Sequence, residues 1–288
     1  MLAGMLLGLS ASASWALANV VVQRAGRAVG ALQALFWALL VGVGLAFLGA
    51  ALLGDRPPPL TAGDGVWIAI AGATGLLAYV CLFYAFEHGR LTLAVPIMSS
   101  WAVLSSALGL VIFREHLTVS QLLGSAVVIA GAVVVARHAQ SVERAAPAGG
   151  VSKRWLPAAV GAAVGFGVLI PAMRRLSPVF GPAGTIGVVY AADLALALPL
   201  ALAFRIRVVF PRRGAWLPIV LAGFLETAGS VCITLGVRRA PVAIVSPFAS
   251  LAAAFTVLYA WAILRERPAR GVLLGAALVS AGVVVLAL

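Results

Sequence analysis

The stretch QLLGSAVVIAGAVVVA, Gln121–Ala136, returns as VLLGAALVSAGVVVLA, Val272–Ala287, in register and without a gap, 151 positions further along a chain of 288. The same offset carries Ala71, Gly72, Val80 and Cys81 onto Ala222, Gly223, Val231 and Cys232. It also carries Pro96 and Ser99 onto Pro247 and Ser250, and Arg114-Glu115 onto Arg265-Glu266. Roughly 20 of about 66 positions agree, far above what an Ala/Val/Leu-rich composition gives by chance. The chain is a duplicated unit.

Composition says where that unit resides. With 63% hydrophobic and 10% charged residues and a mean hydropathy of +1.13, the chain has too much apolar side chain for the interior of a soluble domain. An all-α integral membrane protein is expected. Met1–Val22 has no basic n-region, and equally apolar segments follow it, so it reads as a retained first span and not as a removable signal peptide. The formal charge of +12 would point to nucleic acid in a soluble protein. Here the basic residues stand almost entirely at the ends of apolar runs, where they orient a chain among lipids, and no nucleic-acid partner is expected. Cys81 and Cys232 lie inside apolar runs with no CxxC or Cys/His spacing and read as packing residues.

A hydrocarbon core about 30 Å thick takes roughly 20 apolar residues per helix. That ruler divides the chain into ten spans, near 3–22, 31–53, 66–86, 91–113, 119–136, 155–173, 184–204, 214–236, 241–263 and 271–288. The longest connection, ARHAQSVERAAPAGGVSKRW, Ala136–Trp155, bisects the chain. The expected organisation is a first five-helix repeat over residues 1–136, a linker over 137–154 and a second five-helix repeat over 155–288. Five is odd, so the second copy enters the membrane inverted relative to the first, the arrangement secondary transporters use for alternating access. Loops after spans 1, 3, 5, 7 and 9 hold 14 of the 20 Lys and Arg residues, which places both termini outside and the linker in the cytoplasm. Trp67, Trp155 and Trp216 fall near span ends as interfacial anchors, whereas Trp15 and Trp101 fall well inside theirs.

The ten-span duplication, the P..S early in spans 4 and 9, and the RE followed by LLG and AG across spans 4–5 and 9–10 resemble the drug/metabolite transporter superfamily. Within it the likeness is to the EamA-like family. The resemblance implies a ten-helix transporter whose helices 1, 3 and 4, with their repeat partners 6, 8 and 9, line a central cavity. It also implies a cargo of amino acids and other metabolites, as in the bacterial exporters of that family. Pro268 departs from the pattern, standing where the first copy has Leu117.

Several residues carry chemistry or a bland equivalent of it. Arg114-Glu115 and Arg265-Glu266 put a cation at the carbonyl end of one helix and an anion at the amide end of the next, a structural arrangement. Gly124, Gly131, Gly275 and Gly282 form small-residue stripes suited to a packing or dimer seam. Asp193 and Glu226 fall near the middle of spans 7 and 8 with no Lys or Arg at their depth, where a carboxylate costs several kcal/mol unless neutralised or paired. Either each is a protonated, hydrogen-bonded group of a packed interior, or one of them exchanges a proton or binds a cationic group during transport. The repeat partners of Asp193 and Glu226 are Gly42 and Gly75, so carboxylates are not needed merely to build the fold.

At similar depth lie Trp15, Asn19, Tyr79, Ser99, Trp101, Phe166, Ser230 and Ser250, which with Glu226 form the candidate substrate-binding set. Ser10, Ser14, Ser100, Tyr190, Thr227 and Tyr259 stand nearby. A hydroxyl in a membrane helix is more often bonded back to its own carbonyls than aimed at a ligand, so the aromatic residues carry more of the argument. His88, His116 and His138 sit at loops or helix ends, and HExxH, Cys/His, Walker A and GxSxG patterns are all absent from the sequence, so no metal, cofactor or enzyme chemistry is expected.

These readings converge on a secondary transporter of the bacterial inner membrane, monomeric or homodimeric, with a small-molecule substrate and surrounding lipid as its partners. The expected activity is export of amino acids or related amphipathic compounds around a midplane cavity. The alternative is proton-coupled efflux of hydrophobic cations, for which a membrane carboxylate is the natural counterion. Pro96 and Pro247 each remove one backbone N–H about six residues into the fourth helix of their unit and mark candidate kinks. If those kinks bend during the cycle, Pro96→Ala and Pro247→Ala should lower flux in proteoliposomes several-fold while membrane insertion, read by expression and fractionation, stays near wild type.

Overall fold

A backbone in hydrocarbon must satisfy its amides internally, and the described residues do so almost entirely as helices. The computed structural model describes residues 2–55, 59–114, 118–120, 122–124, 126, 127, 130, 131, 133, 134, 154–203, 205, 208–265 and 270–286. The first copy supplies α1 (Leu2–Val29), α2 (Ala31–Leu53), α3 (Ala62–His88), α4 (Leu91–Met98) and α5 (Trp101–Phe113). The second supplies α6 (Trp155–Ala203), α7 (Trp216–Arg239), α8 (Val242–Ser250), α9 (Ala252–Leu264) and α10 (Arg270–Leu286), with a 3-10 turn at Arg213–Ala215 before α7. The described positions of 119–134 are helical as well. The central linker, Glu115, His116, His138, Glu266 and Pro268 lie outside the described residues, apart from Arg154 at the linker's end.

The two copies break at equivalent places. Gly30 turns α1 into α2 at φ 89, and Gly181, its partner in the repeat, breaks α6 at φ 73. Positive φ costs a residue with a Cβ about 1–2 kcal/mol, which is why glycine stands at both turns. Arg114 and Arg265 both end their helices in the left-handed conformation, at φ 52 and φ 57, placing a cation at each carbonyl end. The fourth span of each copy is in two pieces: α4 passes to α5 at Ser99 and Ser100, and α8 passes to α9 at Leu251. Ser99 and Ser250 donate to the carbonyls of Val95 and Ser246, at 3.0 and 3.1 Å, which are themselves repeat equivalents. Each hydroxyl therefore bonds one turn past the carbonyl that its proline would have engaged, at Thr92 and Ala243.

Among the described residues, seven helical stretches are long and apolar enough to cross a membrane. One of them is α6, whose 49 residues are two helical limbs, each long enough to cross the hydrocarbon, that meet at Gly181 where the backbone leaves helical geometry. The two limbs correspond to spans 6 and 7, with the turn between them at Gly181. The second limb, residues 182–203, begins with Gly184 donating its N–H to Asp55 at 3.4 Å. The side chain of Asp55 fills the space where a Cβ on Gly181 would stand.

Packing rests on small residues. The α3 helix lies along α6, and α1 along α7, so the first and third helices of one copy meet the third and first of the other. A Cβ on Gly165 would stand 2.7 Å from the Ala78 Cβ and 2.8 Å from the Thr74 carbonyl oxygen, so these backbones approach as closely as glycine allows. The glycine stripe works within the chain: Gly131 meets Gly275 and Val279 of α10. Outward faces carry the bulky apolar residues, Leu52 79%, Val111 78% and Leu202 76% exposed, while Asn19, Asp193, Glu226 and Thr256 are buried inside. That inside-out distribution suits lipid as the surrounding solvent. Trp155 departs from its expected interfacial role: it is 1% exposed and packs on Gly89 at the end of α3.

Gly181→Ala should lower the unfolding midpoint in detergent by the equivalent of about 1–2 kcal/mol or more, because strain at positive φ adds to displacement of Asp55. Gly44→Ala, where nothing lies within 4 Å, should be neutral or up to about 1 kcal/mol stabilising in the same assay.

Candidate functional site

Where α1, α4, α5, α6 and α7 converge, the interior opens into a cavity of about 50 Å³. Trp15 and Asn19 reach it from α1, Ser99 and Trp101 from the α4–α5 junction, Phe166 from the first limb of α6 and Glu226 from α7. These six come from a candidate set chosen for depth and chemistry. The remaining walls, Leu82, Val95, Met98, Ile170 and Ala252, are apolar and carry no chemical signature that sets them apart from lipid-facing residues.

The polar groups are held by a partner on another helix, bonded back to their own helix as Ser99 is to Val95, or left facing the cavity. Asn19 donates its amide to the Thr256 hydroxyl at 3.0 Å, linking α1 to α9. Ser14 donates to the carbonyl of Leu225 at 2.7 Å, fixing α1 beside Glu226. Trp15 and Trp101 meet edge to face at 6.3 Å and 84°. The Trp15 ring lies in the gap left by Gly229, where a Cβ would stand 2.6 Å from its Nε1, and that buried N–H has no hydrogen-bond partner among the described residues. Glu226 is 7% exposed and is the ionisable side chain among the cavity's lining residues, with no Lys, Arg or His beside it there.

Tyr79 is displaced from this cavity to the far side of Glu226. There it lines a smaller space of about 10 Å³ with Glu226, Tyr190 and apolar residues of α2 and α7. Its ring packs edge to face on Phe166 at 5.3 Å, and its hydroxyl lies 3.1 Å from that of Tyr190. Tyr190 in turn lies 3.1 Å from the hydroxyl of Ser230. Ser230 therefore serves a tyrosine and does not line the larger cavity. Ser250 does not line it either: its hydroxyl bonds Ser246 and comes within 3.5 Å of the Ser99 carbonyl. Tyr190 was outside the candidate set, although the repeat contains a signal for it, since the two residues it bridges, Tyr79 and Ser230, are equivalents 151 positions apart.

Asp193 is kept apart from Glu226. It is fully buried on the second limb of α6, its carboxyl against Gly75, where a Cβ would stand 2.6 Å from Oδ1. The carboxyl lies against the backbone near Leu76, yet neither oxygen accepts a well-formed hydrogen bond among the described residues. The glycine expected from the repeat to replace Glu226 in the first copy is thus the residue that makes room for Asp193.

The sequence model of the EamA-like transporter family matches this chain twice, over residues 2–137 and 153–288. The chain belongs to the EamA-like transporter family. It is a multi-pass membrane protein of the drug/metabolite transporter superfamily, a group of transporters and not of enzymes. One solved structure, titled only as the crystal structure of a protein, superposes with a TM-score of 0.71 over 98% of this chain and 95% of its own at 21% identity, a likeness of fold alone. No curated protein matches the sequence. In this EamA-like chain the double match puts the cavity between the two family units, with Trp15, Asn19, Ser99 and Trp101 from one and Phe166 and Glu226 from the other.

Trp15→Phe removes an N–H that bonds nothing together with the part of the indole lodged against Gly229, so its unfolding midpoint in detergent should fall by the equivalent of about 1–3 kcal/mol, a packing loss and not a hydrogen-bond loss. Trp101→Ala, which empties a buried aromatic site, should cost about 3–5 kcal/mol in the same titration.

Proposed function

We propose that this protein is a secondary transporter of the bacterial inner membrane that exports small amphipathic metabolites, amino acids or related compounds first among them. Its ten helices would form two inverted five-helix repeats over 1–136 and 155–288, with the 137–154 linker in the cytoplasm and both termini outside. Alternating access would rock one repeat against the other around the Glu226 cavity. Lipid and cargo are its partners on this reading, nucleic acid is not, and the chain works as a monomer or homodimer.

The observation that carries the proposal is the double parentage of the cavity walls. A space bounded by Trp15, Asn19, Ser99 and Trp101 of one copy and Phe166 and Glu226 of the other changes shape whenever the copies move relative to each other. Aromatic edges suit an amphipathic side chain, and Asn19 and Glu226 supply directional polar contacts. Glu226 would receive an ammonium group or a proton, with Asp193 as a second proton-bearing carboxyl. The second reading, proton-coupled efflux of hydrophobic cations, is favoured by one feature. Glu226 lines the cavity with no cation beside it, so the site offers a counterion for positive charge and none for a cargo carboxylate.

Counterflow by purified protein in liposomes tests both. Accumulation of tryptophan or leucine above empty liposomes supports the first reading, and accumulation of tetraphenylphosphonium without amino acid flux supports the second. Flux of none of these probes would sink the proposal. In either case Glu226→Gln should reduce flux about tenfold or more and Asp193→Asn should flatten its pH dependence. Wild-type behaviour of both variants would remove the carboxylates from the mechanism.

A further inference from the structure

A fully buried carboxyl with neither oxygen well bonded, in a membrane interior, needs a reason to be there. Asp193 has a polar neighbourhood but no access to the cargo cavity. One helical turn before it on α6 stands Tyr190, and one turn after Gly75 on α3, against which its carboxyl rests, stands Tyr79. Their hydroxyls lie 3.1 Å apart, and Tyr190 also lies 3.1 Å from Ser230, which is one turn after Glu226 on α7. Tyr79 and Tyr190 line the small space that Glu226 bounds from the other side. Three hydroxyls on three helices thus form a hydrogen-bonded chain in the region between the two membrane carboxyls, and neither carboxyl is hydrogen-bonded to it in this conformation.

We propose that Asp193 exchanges its proton with Glu226 through the hydroxyls of Tyr79, Tyr190 and Ser230, with Tyr190 the link common to both arms. This rests on the reading of Glu226 as the proton-bearing group of the cavity. A proton leaving the Glu226 carboxylic acid is accepted by a hydroxyl oxygen as that hydroxyl passes its own proton on. Each carboxyl joins the chain by a side-chain rotation, the last transfer protonates the Asp193 carboxylate, no phenolate is formed and the reverse sequence restores the start. The ionisable groups facing this path are Tyr79 from α3, Tyr190 and Asp193 from α6 and Glu226 from α7. From α1 and α2 its neighbours are Trp15, Leu35, Ala38, Leu39 and Gly42, none of which titrates.

Deuterium exchange at the Asp193 carboxyl, followed by infrared spectroscopy of the full-length protein moved into D₂O, tests the relay without any cargo. The carbonyl band of protonated Asp193 is assigned by its loss in Asp193→Asn. Tyr190→Phe should slow its exchange about tenfold or more while the amide bands show an intact helical fold. Should that variant not fold, Tyr79→Phe combined with Ser230→Ala severs both arms, keeps Tyr190 and should slow exchange as much. Wild-type exchange in a folded variant with the chain cut overturns the relay, as does the absence of any protonated Asp193 band across the pH range of the folded protein. Because the assay contains no cargo, its failure strikes the relay, whereas absent counterflow strikes the transport reading.

Discussion

A peptide group in hydrocarbon has no water to bond, and each interruption of a helix must be met by something from inside the protein. The interruptions here are accordingly also the joints between helices. At the α1–α2 turn, Gly30 donates to the carbonyl of Gly26 at 2.8 Å, and the Ala31 N–H finds Glu87 of α3 at 2.7 Å. The carbonyl of Gly89 beyond α3 accepts from Gln23 and Arg27 of α1, each at 3.3 Å. At the broken fourth span, Ser100 and Val103 fall back on bonds to carbonyls three residues earlier, so the break loosens the helix without leaving it bare. Each repair fixes one element against another or keeps a bend in place, and the bend at Ser99 borders the cavity.

Duplication gives the fold its economy, and departures from it give the interior its chemistry. Backbone features repeat: positive φ at Gly30 and Gly181, left-handed ends at Arg114 and Arg265, matched serine bonds at Ser99 and Ser250. The two buried carboxyls do not. Asp193 and Glu226 both belong to the second copy, and their equivalents are glycines. The exchange is steric as well as electrostatic. Gly75 vacates the volume that Asp193 fills, and Gly42 abuts Tyr190 and Thr227, so a side chain at either position would meet the polar cluster. A second carboxyl in the first copy would bring more unpaired negative charge to a centre with no cation among the described residues lining the cavity.

Much of this was legible in the sequence because membranes narrow the reasons a residue type can have. A tryptophan or carboxylate ten residues from either interface has few bland explanations, so Trp15, Trp101, Phe166 and Glu226 could be picked out and the structure gathers them around one space. Hydropathy could not separate Leu82, Val95, Met98, Ile170 and Ala252 from lipid-facing neighbours, because an apolar cavity wall and an apolar exterior obey the same preference. It also could not see that Asp193 and Glu226 are segregated, since depth along the membrane normal says nothing about position around a helix. The turn between spans 6 and 7 is narrower than hydropathy suggested: Pro178 lies in the first limb of α6 and Pro182 opens the second, so the break is confined to Gly181. Trp155 was misplaced for a related reason: a residue at a span end faces either lipid headgroups or a neighbouring helix, and here Gly89 provides the neighbour.

The segregation of the carboxyls bears on how a cavity of this kind handles charge. A low-dielectric centre penalises net charge steeply, so two ionised carboxyls with no cation is the least favourable state available to it. One proton shared between Asp193 and Glu226 leaves a single negative charge, and a cationic cargo at Glu226 then brings the pair to neutrality. On this reading Asp193 needs no contact with cargo. It would set how much charge the centre holds when Glu226 gives up its proton, and a sealed pocket against Gly75 suits that proposed role because it would keep the second carboxyl from competing for the same cation. The placement that disqualifies Asp193 as a ligand is what fits it to act as the partner of one.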